Sequence, residues 1–160
     1  RNNWTSNQKF MDILERRTQQ NKCKFRILIL DPDSDILKQR SKDEARWNGD
    51  NKKEKAEEFS YNRMRASIIE SLHVLTNIKE RLNEENSQYL EIKVVNQSNI
   101  YCNIIRADDR IIVAKYLLSV RGSDAPTLEI HGKDTSFYKA FAKEFEEMWK
   151  RGKYWNPSTL

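Results

Sequence analysis

The run Ile27-Leu28-Ile29-Leu30, with Phe25 just across Arg26, stops abruptly at Asp31-Pro32. Consecutive apolar residues leave no polar face, so a strand here must be covered on both sides, and the pattern predicts a central strand between layers of helix. Both flanks offer those helices. Upstream, Phe10, Ile13, Leu14 and Arg17 follow helical spacing, with Thr5 or Ser6 able to cap the helix. Downstream, Tyr61, Met64, Ile68, Leu72, Leu75, Ile78 and Leu82 step by three or four residues, which predicts a long amphipathic helix ending between Asn83 and Ser87.

Beyond that helix the period changes to two. Leu90, Ile92 and Val94 share one face of a strand that ends in a turn from Asn96 to Asn99. Two β-rich runs, Ile100–Arg106 and Arg110–Leu118, meet at Ala107-Asp108-Asp109 as a tight hairpin. A loop from Gly122 to Pro126 leads to the short strand Thr127–His131. The final helix places Phe137, Phe141, Phe145 and Trp149 on one core stripe and stops at Gly152. The order helix, strand, helix, strand, hairpin, strand, helix predicts an α/β fold, a mixed β-sheet flanked by helices on both faces. Residues 1–160 fit a single domain. A short helix begins at Ile36 and Leu37, and the charged insert at about 42–58 is expected to be mobile, because its few apolar positions cannot offset the cost of ordering it.

Several function classes are disfavoured. Charged residues make up 33% of the chain, with a net charge of +5, but acidic and basic residues alternate through the insert and form no one-signed patch for nucleic acid. The basic "WKRGKYW" is read as a helix end with cations at its negative pole, ahead of a phosphate-binding patch. No apolar run is long enough to span a bilayer, and the start lacks the apolar core of a signal peptide. The chain opens on Arg1, which suggests a piece excised from a longer protein. Cys23 and Cys102 sit at the edges of apolar runs without a second Cys or His in ligand spacing, so neither zinc nor a disulfide is expected, and a cytoplasmic setting fits best. His73 is read as a half-buried helix histidine. No metal ligand and no cofactor is assigned.

The polar positions with candidate roles cluster at two places. Asp31-Pro32-Asp33-Ser34 follows a buried strand, and either caps the next helix or lines a pocket beyond the strand's carboxyl end. At the hairpin, Asp108 and Asp109 suit a turn. Arg106, Lys115 and Arg121 are cations near it. Lys115 shares a strand face with Val113 and Leu117, so it needs an anion: a structural carboxylate such as Asp31, or a phosphate-bearing ligand.

The hairpin resembles the strand-turn-strand of phospholipase D-like proteins, whose pattern is His-x-Lys-x-x-x-x-Asp. Asp108 keeps the Asp, while Tyr101 stands at the His position and Asn103 at the Lys position. The early strand ending in "LDPDS", the helix before "LEIKVVN" and the closing "FAKEFEEMW" are similar to the same family. The resemblance is to the degenerate, single-copy form attached to bacterial regulators. In the active family a His attacks phosphorus and a Lys stabilises the phosphoryl oxygens; a Tyr with a pKa of about 10 and a neutral Asn do not replace them. The literal His131-Gly132-Lys133 is followed by Tyr138 where an Asp would be required and is read as coincidence.

The resemblance therefore implies a phospholipase D-like half with no catalytic residue. It implies a ligand-sensing or regulatory domain of a larger bacterial protein, which recognises a phosphate-bearing or nucleotide-like ligand through Asp31, Asp33, Ser34, Tyr101, Asn103, Arg106, Asp108, Lys115 and Arg121. A homodimer, and an effector or DNA-binding module elsewhere in the chain, are the implied partners. The alternative is a protein-interaction or dimerisation module, and a phosphodiesterase or nuclease acting through Tyr101 or His131 ranks below both.

Overall fold

The structure, a computed structural model, describes residues 7–47, 53–96, 102–115 and 126–157. The first helix, α1 (Gln8–Asn21), is capped by Asn7, whose side chain accepts the Phe10 N–H. The expected caps Thr5 and Ser6 lie outside the described residues. Strand β1 (Phe25–Leu30) runs into α2 (Asp35–Trp47) and the long α3 (Lys53–Arg81). At 29 residues α3 is about 44 Å long.

The one-turn α4 (Glu84–Ser87) follows, capped by Asn83, and then β2 (Leu90–Val95). Two further strands, β3 (Cys102–Ala107) and β4 (Arg110–Lys115), form the hairpin. Strand β5 (Thr127–His131), helix α5 (Ser136–Arg151) and the two-residue strand β6 (Lys153–Tyr154) complete the chain.

The fold is mixed α/β. Where one mixed sheet was expected, the described strands form two three-stranded sheets, β1-β2-β6 and β3-β4-β5. In the first, β1 and β2 are parallel, with Phe25 opposite Leu90 and Leu30 opposite Val95; β6 adds to β2 antiparallel. Strand β1 is therefore an edge of its sheet and β2 the centre, which corrects the central position read from β1's apolar run. An apolar run reports cover on the two faces of a strand and carries no information about its hydrogen-bonding neighbours.

That cover is present. Phe25, Ile27 and Ile29 of β1 and Leu90, Ile92 and Val94 of β2 pack with Met11 and Leu14 of α1 and Leu72, Leu75 and Ile78 of α3. On the opposite face, Arg26 stacks on Phe145 and Trp149 of α5, and Lys93 donates to the Trp149 carbonyl. Helices thus flank this sheet on both faces.

The second sheet is covered differently. Ile111 and Val113 of β4, with Ile104 of β3 and Ile130 of β5, pack against Tyr138, Phe141 and Ala142 of α5. The reverse face carries Ile105 and Ile112, 52% and 37% exposed. Helix α5 therefore serves both sheets, its first half on β3-β4-β5 and its second half on β1-β2-β6.

Other expectations change in detail. The helix after β1 continues through the charged stretch to Trp47, and α3 begins at Lys53, so the described part of the 42–58 insert is helical. Phe137 is 66% exposed and leaves the core stripe, where Tyr138 takes its place. Steps of four residues drift about 40° each on a helix of 3.6 residues per turn, so a stripe anchored on Trp149 has rotated off Phe137. His73 is exposed, not half-buried. The turn from Asn96 to Asn99, Leu117 and the Gly122–Pro126 loop fall wholly or partly outside the described residues.

Candidate functional site

The Asp31–Ser34 loop lies beyond the carboxyl end of β1, and most of its polar contacts are to the backbone. The Asp31 N–H donates to the Val95 carbonyl at 2.9 Å, extending the parallel ladder by one rung. Asp31 Oδ1 accepts the Asp33 N–H at 2.9 Å, and the Asp31 carbonyl accepts the Ser34 N–H. Ser34 is fully buried, and its Oγ accepts the Leu37 N–H as the cap of α2. Asp33 is held from α3 by Arg65, whose Nε reaches its Oδ1 at 2.8 Å.

The capping alternative is thus realised. Ser34→Ala should destabilise the domain by about 1 kcal/mol, the usual size of a lost N-cap, measured by urea unfolding.

The hairpin turn is anchored as well. Asp108 sits at φ 51°, a left-handed conformation that a short polar side chain tolerates. The Tyr138 hydroxyl donates to the Asp108 carbonyl at 2.8 Å, and the Gly132 N–H donates to the Asp109 carbonyl at 2.9 Å. Both contacts tie the turn to the junction between β5 and α5. His131 faces Glu129 at 3.1 Å on an exposed cross-strand row with Arg110.

Strand register divides the hairpin's candidate residues. Lys115 is opposite Cys102, and Arg106 is opposite Ile111, so both cations belong to the face that α5 covers. Asn103, one residue out of phase, projects from the reverse face. Lys115 ends β4 and is exposed, so the desolvated charge expected there does not occur. Among the described residues it makes no ion pair with Asp31 or any other carboxylate. Its nearest effects are on Cys102: burial pushes that thiol up, the Glu144 carboxylate adds to the rise, and Lys115 opposes it. A raised thiol disfavours the nucleophilic thiolate. Tyr101 and Arg121 lie outside the described residues.

Arg106 is the candidate residue with the most developed surroundings. Its Nε donates to the Tyr138 hydroxyl at 3.0 Å, and its Nη1 approaches Glu146 Oε1 at 3.5 Å. The same carboxylate takes a two-pronged contact from Arg26, Nη1 to Oε2 at 2.8 Å and Nη2 to Oε1 at 2.6 Å. The Arg26 guanidinium lies 5.2 Å from the Phe145 ring centre and 5.4 Å from that of Trp149. Hydrogen bonding from Arg26, aided by the charges of Arg26 and Arg106, holds the Glu146 carboxyl below the usual range.

One strand from each sheet therefore sends an arginine to a single carboxylate on α5. The Arg26–Glu146–Arg106 trio carries one net positive charge and is partly open: the side chains of Arg26, Arg106 and Glu146 are 28%, 38% and 38% exposed. Arg26 and Glu146 were not singled out in the sequence. The only available signal was Arg26 itself, a charge interrupting an otherwise apolar strand. Among the described residues no group of three or more His, Cys, Asp or Glu could hold a metal ion, and no helix is long and apolar enough to cross a membrane.

Fold and seam together define a mixed α/β domain whose two sheets are joined through one helix and a shared ion pair. A family model matches residues 7–155, and the chain belongs to that family, the Domain of unknown function (DUF5919). Neither a curated protein nor a solved structure matches the chain.

Proposed function

We propose that this is a catalytically silent, phospholipase D-like sensing or regulatory domain that recognises a phosphate-bearing or nucleotide-like ligand in a cytoplasmic protein. The observation that carries the reading is Arg106: Tyr138 orients its partly exposed guanidinium at the seam through Nε, and its contact to Glu146 is a long one, 3.5 Å. Arginine presents paired N–H groups that match a phosphate edge, and a trio with one net positive charge attracts an anion. Tyr101 and Asn103, at the His and Lys positions of the phospholipase D-like pattern, supply neither its nucleophile nor its cation, which supports a binding role over turnover, and Asn103, on the reverse strand face, is not part of the Arg106–Lys115 site. Lys115 is a second cation on the same sheet face, about 13 Å along the strand from Arg106, a separation suited to an extended ligand such as a nucleotide. The Asp31–Ser34 loop contributes scaffold to this reading, not ligand contacts.

The test is a thermal-shift screen with nucleotides, cyclic nucleotides and phosphorylated metabolites. A ligand at 100 times its dissociation constant should stabilise the domain by about 2.7 kcal/mol. Arg106→Gln should then weaken that ligand about tenfold or more, equal to about 1.4 kcal/mol, and Lys115→Ala, at an exposed position, by less than about 1 kcal/mol. A panel that leaves the melting temperature unmoved would remove the sensing reading. Hydrolysis of a generic phosphodiester by the parent domain would replace it with an enzymatic one.

The uncovered face bearing Ile105 and Ile112 favours the second reading, a dimerisation module. Light scattering at micromolar concentration discriminates: a dimer is required by that reading, and a monomer counts against it.

A further inference from the structure

We infer that Glu146 is an internal anion that competes with the ligand's phosphoryl group for Arg106, so that the empty domain holds its own site in check. The inference rests on the anion-recognising reading above. The two contacts of Glu146 are unequal. Arg26 grips it through both terminal nitrogens, at 2.8 and 2.6 Å, with its guanidinium stacked on Phe145 and Trp149. Arg106 reaches only one oxygen, at 3.5 Å, with its Nε held by the Tyr138 hydroxyl. Arg26 is therefore the fixed seat of the carboxylate, and Arg106 is the arm held to it by the longer, single contact.

A phosphoryl group carries more charge than the carboxylate and can accept both terminal nitrogens of Arg106 side by side, a stronger contact than the long single one it replaces. The exchange breaks one weak hydrogen bond and leaves the Arg26–Glu146 pair in place. Because Arg26 belongs to one sheet and Arg106 to the other, it also releases the ionic link between the two sheets. Ligand occupancy is thereby converted into a change at the seam.

The experiment is calorimetric titration of inorganic pyrophosphate into the whole chain, comparing the parent protein with Glu146→Gln, Arg106→Gln and Glu147→Gln. Glu147 is the next residue on the same helix and pairs with Lys150, so its variant makes the same charge change without removing a hydrogen-bond partner of Arg106. Glu146→Gln should bind pyrophosphate about tenfold tighter, since a negative charge close to the phosphoryl oxygens is gone. Arg106→Gln should abolish binding, and Glu147→Gln should leave it unchanged.

If the parent binds and Glu146→Gln binds no tighter, the competition is refuted while the anion reading stands. Equal tightening by Glu147→Gln would reduce the effect to net charge and refute it equally. If neither the parent nor Glu146→Gln binds, both inference and reading fall. Should Glu146→Gln fail to fold, Glu146→Asp takes its place: a carboxylate drawn back from Arg106 should bind pyrophosphate more tightly than the parent, and equal or weaker binding refutes the competition.

Discussion

Leu75→Ala is expected to lower the free energy of unfolding by about 3 to 4 kcal/mol, the largest single effect among the substitutions considered. Leu75 is fully buried on the face of α3 that meets β1, β2 and α1. Those neighbours are held by strand ladders and helix packing and cannot collapse into the space left by the side chain. Urea unfolding would register the loss as a lower midpoint with an unchanged slope. Phe59→Ala on the same helix is the control: Phe59 is 68% exposed, and its removal should be nearly neutral. A loss under about 1 kcal/mol for Leu75→Ala would mean that α3 is seated differently on the sheet.

Gly152→Val should destabilise by about 1 to 3 kcal/mol, as overpacking does. The backbone here is extended, with φ −68° and ψ 144°, so no residue is forbidden by conformation. The obstacle is space. A Cβ at Gly152 would stand 2.7 Å from Leu28 Cδ1 and 3.2 Å from Lys93 Cβ, because the chain leaving α5 passes directly over the β1-β2 sheet on its way into β6. Leu28→Ala in the Gly152→Val background should restore part of the loss, and a strictly additive double variant would count against the crowding.

The same glycine shows where the sequence was legible. Its position one residue past an amphipathic pattern locates the end of α5 correctly, yet for a reason other than the one the pattern suggests. A helix-stopping glycine is expected in the left-handed region, whereas this one is small because a neighbouring strand is close. The alternation of Leu90, Ile92 and Val94 and the stepping of Leu72, Leu75 and Ile78 are local records of burial, and each identified its buried face. Which strand pairs with which is not recorded locally, so β1 as an edge, β6 as a partner of β2 and the division into two sheets escaped.

The candidate site was legible only in part for the same reason. Arg106 can be noticed beside an Asp-Asp turn, but Glu146 is one of three acidic residues in "KEFEEM", and nothing in that stretch distinguishes the one that meets Arg26 and Arg106. Lys115 shows the converse. Its face was correctly inferred from alternation, but its exposure depends on where the strand ends relative to its cover, which periodicity does not encode.

The parallel pairing of β1 with β2 sets a constraint on how the chain reaches this state. Phe25 must find Leu90 across the whole of α2, α3 and α4, and an open loop of that length carries a large closure entropy before any strand bond forms. The α2–α3 hairpin removes much of that cost, because two helices joined by a short connection fold back locally and bring the start of β2 near the end of α1. The hairpin is thus expected to be largely formed in the transition state for folding, with the strand ladder following it. Substitutions in the contact between α2 and α3 should then slow folding, while those in the two-residue β6, expected to dock late onto β2, should chiefly accelerate unfolding.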